Sequence, residues 1–199
     1  MNLGRVIMAS IIVSSVLMGC ASHKSFLGAS FPKVTFEDVT KRDAPLRLQL
    51  IVEFQRNGQH FPKGDVPLRD YAALILKESG VVSPVNVLSP DNGEQEGTVK
   101  VLLNNIADSG TVAAETARTG VPLWMVGKTI TDAYEMSMVI ATKGKTVSRT
   151  GIKHAFHTAI GNMDIPDRVQ VFPADEAFGR MLRQMILKAL IDMQQSGEL

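Results

Sequence analysis

The residue types suited to chemistry in this chain are four histidines, one cysteine and a scatter of carboxylates. His154 and His157 stand three apart, and on a strand that spacing sends them to opposite faces, so they chelate one ion only if the strand is bulged there. Zinc would also ask for a third protein ligand. His23 and His60 lie in other segments and supply none by pattern. Asp132, Glu135, Asp164 and Asp167 offer carboxylate pairs for acid-base work, but carboxylates near turns and strand edges are usually solvated. Gly144-Lys145-Thr146 matches only the last three positions of a phosphate-binding loop, without the upstream glycine or the following helix, and reads as a hairpin turn. No Gly-x-Ser-x-Gly nucleophile turn occurs. The expectation is a non-enzymatic chain without a metal site.

Cys20 is the exception. It closes an apolar run that starts near Val6, behind the single positive charge Arg5. That charged-then-apolar layout suits a secretory signal over residues 1–19, and the run is short for a permanent span, which needs about 20 residues. Leu17-Met18-Gly19-Cys20 resembles the lipobox of bacterial outer-membrane lipoproteins. The resemblance implies cleavage before Cys20, a diacylglycerol thioether and an acyl chain such as palmitate on the new amino group. Cys20 is then the lipidation site and the covalent lipid the one prosthetic group, with no other cofactor expected. Ala21 in place of an aspartate implies an outer-membrane address facing the periplasm.

Removing residues 1–19 takes Arg5 from the 21 Lys and Arg and leaves them balanced against 20 Asp and Glu. A neutral balance argues against a nucleic-acid binder, which shows a basic excess. With Cys20 lipidated no thiol remains for a disulfide, so the fold rests on its apolar core.

The elements that position these groups follow from hydrophobic periodicity. Residues 20–44 mix Ser, Gly, Lys and Pro and read as the lipidated cysteine and a tether, with Phe31, Val34 and Phe36 as a second half able to dock. Residues 45–199 read as a single periplasm-facing domain. Leu46 to Gln55 is apolar at every even position, which predicts a strand with one buried face. Asp65 is placed to cap a helix with Pro67 in its first turn and Leu68, Tyr71, Ala72 and Ile75 as its stripe, ended by Gly80. Val85 to Leu88 predicts a second strand and Thr98 to Ile106 a third. Residues 109–120 suit a short helix or a strand, with the threonines favouring strand.

Val121 to Gly127 is the most apolar stretch after Cys20 and reads as core. Its alternative is an interface through Val121, Leu123, Trp124 and Met125. Tyr134, Met136, Met138 and Ile140 alternate with polar residues, Thr142 to Lys145 turns the chain, and Thr146 to Thr158 returns. Ala174 to Gln195 predicts the longest helix, with Asp175 and Glu176 at its start and Gly197 past its end. The ten methionines cluster in the hairpin and this helix and read as core filler.

The fold class expected is α+β, a single mixed or mostly antiparallel sheet with helices packed on one face and a long C-terminal helix. By anchor and element order the chain is similar to small envelope lipoproteins, among them activators of penicillin-binding proteins and the curli secretion subunit. That likeness implies a binding or assembly accessory in the cell envelope, or a self-assembling ring or secretion-pore subunit. Its partners are then the membrane and an envelope protein or a second copy, with no nucleic acid.

Overall fold

A computed structural model of the chain describes residues 24–85, 95–106, 128–161 and 165–199. Seven strands form one sheet: β1 (Lys24–Leu27), β2 (Leu46–Arg56), β3 (Gln59–His60), β4 (Val82–Val85), β5 (Gly97–Ile106), β6 (Lys128–Thr142) and β7 (Lys145–Ile160). Among the described residues two α-helices accompany them, α1 (Asp65–Ser79) and α2 (Ala174–Gln195). The sheet order is β1-β7-β6-β5-β2-β3, with β4 also on β2. Only β2 runs parallel to its partners β4 and β5. The other pairings are antiparallel. This is the mixed α+β sheet expected.

Strand alternation sets the layers. Leu48, Leu50, Val99, Val101, Leu103, Met136, Met138 and Ile140 are buried in one cluster with Leu68, Ala72 and Leu76 of α1 and Met181, Leu182, Met185, Ile186 and Leu190 of α2. Both helices therefore cover one face. The other face carries the ion pairs Lys100–Glu53 at 3.0 Å and Lys153–Glu135 at 3.8 Å. Methionines of the hairpin and α2 are core, as read from the sequence. Leu187 and Ile191 are buried as well, because α2 lies between α1 and the β7 side of the sheet.

β7 has a kink in its pattern. Met136 faces Ile152 and Met138 faces Arg149, so Thr150 and Gly151 together oppose Ser137. Gly151 takes φ +69, as the extra residue of a bulge requires. The inward set is consequently odd before the bulge (Val147) and even after it (His154, Phe156, Thr158).

Three expectations need correction. The folded body reaches back into the stretch read as a tether, since β1 pairs Lys24–Leu27 with Ala159–Phe156, while Phe31, Val34 and Phe36 pack on the core as the docking second half expected. The strand placed at 85–88 is β4, three residues earlier, and residues 86–88 lie outside the described ones. Asp65 does not cap α1: the cap is Gly64, where an added Cβ would stand 2.5 Å from the Phe54 ring. Asp65 turns to β2 instead, accepting the Phe54 N–H at 2.8 Å. Gly80, at φ +69, ends the helix as expected.

Candidate binding groove at the hairpin end

The parallel and antiparallel pairings bring the β6–β7 turn, the starts of β2 and β5, and the end of α2 to one end of the sheet. They enclose a groove of about 600 Å³ lined by Arg42, Leu46, Glu96, Ile140, Lys145 and Glu198, among others. Each wall has a local cause. Gly144 at φ +84 makes the tight turn that presents Lys143 and Lys145. The Arg42 N–H donates to the Gly80 carbonyl at 3.1 Å and the Leu46 N–H to that of Val81 at 2.9 Å, fixing the strand lead-in. Glu96 is clamped to β2, with its N–H on the Arg47 carbonyl at 2.9 Å and its carboxylate accepting the Arg47 N–H at 2.8 Å. At the end of α2, Gly197 at φ +70 turns the chain and the Glu198 N–H returns to the Met193 carbonyl at 2.9 Å. That six-to-one closure is a Schellman ending, and it carries Glu198 and Leu199 to the groove.

Arg149 neutralises this wall. Its Nη2 donates to the Asp192 carbonyl at 2.7 Å, the Ser196 hydroxyl at 2.6 Å and the Glu198 carboxylate at 2.5 Å. A cation here meets the orphan carbonyls of a helix end, where the dipole favours it. The Ser196 hydroxyl and the Arg149 guanidinium, with Lys145 nearby, hold the Glu198 carboxyl below the usual range. Both side-chain carboxylates of the lining have donors, and Arg42 and Lys145 add positive charge at the rim. The floor is the buried Ile140 and Val147 with Leu46. An apolar floor under a cationic rim suits binding of a group with an anionic end.

The residues singled out in the sequence are dispersed. Cys20, the lipobox Leu17, Met18 and Gly19, His23, residues 109–120, the stretch Val121, Leu123, Trp124, Met125, and Asp164 lie outside the described residues. His154 and His157 do face opposite sides, the bulge lying ahead of both. His154 is buried on the helix side, stacked on Phe31 with centroids 4.1 Å apart and hydrogen bonded through Nε2 to Gln184 Oε1 at 2.8 Å. Its Nδ1 accepts the Ala155 N–H at 2.9 Å, so the ring is neutral, and burial pushes its pKa down. His157 binds the Thr131 hydroxyl at 2.9 Å on the other side. His60 pairs with Asp65 at 2.8 Å. Burial raises the Asp65 pKa, but the Phe54 N–H and His60 outweigh it and the net shift is downward. Asp132 is half-buried, and burial pushes its carboxyl upward against the pull of Arg56. Glu135 pairs with Lys153 on the open face, and Asp167 is exposed in a turn. Among the described residues no three His, Cys, Asp or Glu side chains gather as a metal site.

Sequence reasoning missed the groove, because its walls come from positions as distant as Arg42, Glu96, Lys145 and Glu198. The signals present were the turn glycine Gly144 and the helix-ending Gly197. No protein-family model matches the chain, and no curated protein matches it.

Proposed function

We propose that the chain is an outer-membrane lipoprotein held by a lipid on Cys20, whose domain is a non-enzymatic binding module facing the periplasm. The observation that carries the reading is the placement of the groove at the sheet end opposite Lys24. Lys24 pairs with Ala159, whereas the groove is lined by Val147, twelve residues back along β7. At about 3.3 Å per residue the two ends are on the order of 40 Å apart. A module anchored just ahead of Lys24 presents its groove away from the membrane, toward components of the envelope.

The groove chemistry favours a component with an anionic group, such as an acidic segment of an envelope protein, engaged by Arg42 and Lys145 over Ile140 and Val147. The test places a photo-crosslinking residue at Lys145, and as a control at Lys63, in full-length protein in its native cells. A discrete adduct from position 145 that is lost on Arg42→Glu supports the reading. Adducts from position 63 alone, or none from 145, contradict it.

A further inference from the structure

We infer that the outer face of α1 is an interface between two copies of this chain, packed antiparallel about a two-fold axis beside Leu74. The groove described above draws none of its lining from α1, so this face is a separate site. α1 buries Leu68, Ala72, Ile75 and Leu76 in the core. At about 3.6 residues per turn, Val66, Asp70, Ala73, Leu74 and Lys77 fall within about 50° of one line on the side away from those residues. Leu74 is 62% exposed and Val66 57%, the two most exposed large apolar side chains among the described residues. Leu74 and Ala73 stand midway between the exposed Asp70 and Lys77, which gives the face an apolar centre between opposite charges.

Those charges are unanswered within the fold. On α2 opposite charges stand four apart and pair along the helix, Arg180 with Glu176 at 2.8 Å and Lys188 with Asp192 at 2.6 Å. On α1 Asp70 and Lys77 stand seven apart, a rise of about 10 Å. Neither forms an ion pair among the described residues. A second copy answers both. Asp70 and Lys77 are equally far from the midpoint between Ala73 and Leu74, so antiparallel packing about that midpoint sets each Asp70 level with the other copy's Lys77. Leu74 then meets its own image, and the small Ala73 beside it lets the helices approach closely. Parallel packing would set Asp70 on Asp70 and Lys77 on Lys77, so the charges select the antiparallel arrangement. The contact is isologous and closes at two copies. Residues 66–77 span only about 17 Å of helix, too little to bury the roughly 1,200 Å² of a standard interface, so the dimer is weak and depends on its charge register.

The test places a photo-crosslinking residue at position 74, and as a control at position 143, in full-length protein made in its own cells as two differently tagged copies. A product carrying both tags and joined through α1 peptides is expected from position 74 and not from 143. Asp70→Lys or Lys77→Asp, carried by both copies, sets like charges against each other and should lower the yield severalfold. Asp70→Lys on one copy and Lys77→Asp on the other restores opposite charges at both contacts and should restore the product. The mixture also controls for folding, since a misfolded variant would not recover in it. No two-tag product from position 74, a yield indifferent to either charge reversal, or a loss that the mixture does not repair overturns the inference.

Discussion

Ser25 and Phe172 exchange two backbone hydrogen bonds, of 2.9 and 2.7 Å, so the four-residue strand at the start of the folded body is held on both edges. The Ser25 hydroxyl also hydrogen bonds that of Thr158 at 2.8 Å, with both residues buried. Ser25→Ala should cost about 1–2 kcal/mol in urea unfolding, because it strands a buried hydroxyl. Adding Thr158→Val should recover part of that loss. A double variant that loses more than the single one would contradict the account of this contact.

His154 should make the fold sensitive to acid. Burial lowers its pKa in the folded state, and the Ala155 N–H pointing at Nδ1 has no place beside a protonated ring. The unfolded chain takes up the proton first, near the ordinary value of about 6.5, so stability is full above that pH and falls as pH drops toward the lowered folded value. The stability advantage of the native chain over His154→Leu should narrow between about pH 8 and pH 5. A gap that stays constant across denaturation curves would rule out this titration.

Asp132 has the opposite sign. Burial raises its pKa, so the stability it lends is present below the unfolded value and is lost as pH rises through the folded one. Asp132→Asn should therefore be more stable than the native chain at neutral pH, with the difference vanishing near about pH 3. Lower thermal stability of the variant at neutral pH would show that Arg56 outweighs burial.

Gly97 and Gly144 are glycines for different reasons. A Cβ on Gly97 would overlap the Ala141 carbonyl, while at Gly144, φ +84, it would meet nothing within 4 Å. Gly97→Ala should cost about 3 kcal/mol or more, as overpacking into backbone does. Gly144→Ala should cost about 1–2 kcal/mol, the left-handed conformation alone. Equal losses in paired denaturation measurements would contradict the distinction.

Elements whose side chains alternate or recur every third and fourth residue were legible in the sequence. β2, β5, the β6–β7 hairpin and α2 all expose that pattern, and α2 spans the residues expected. β1 has only four residues, too few for a period, and its Lys-Ser-Phe-Leu sits in composition typical of a spacer. β4 contains Pro84, which hides a parallel strand that pairs with β2 alone. The bulge at Thr150–Gly151 shifts the inward parity of β7, so no single alternation runs through that strand. The cap at Asp65 misled because its carboxylate found the Phe54 N–H across the chain reversal. The groove is a product of topology, since strand pairing rather than spacing sets Lys145 beside Glu198.

The proposed anchoring requires that Cys20 begin the mature chain and carry a lipid. Mass spectrometry of the N-terminal peptide from protein isolated from its own membranes tests it most directly. The account predicts a peptide starting at Cys20 with the added mass of a diacylglycerol thioether and an amide-linked acyl chain. A peptide starting elsewhere, or an unmodified Cys20, would contradict it.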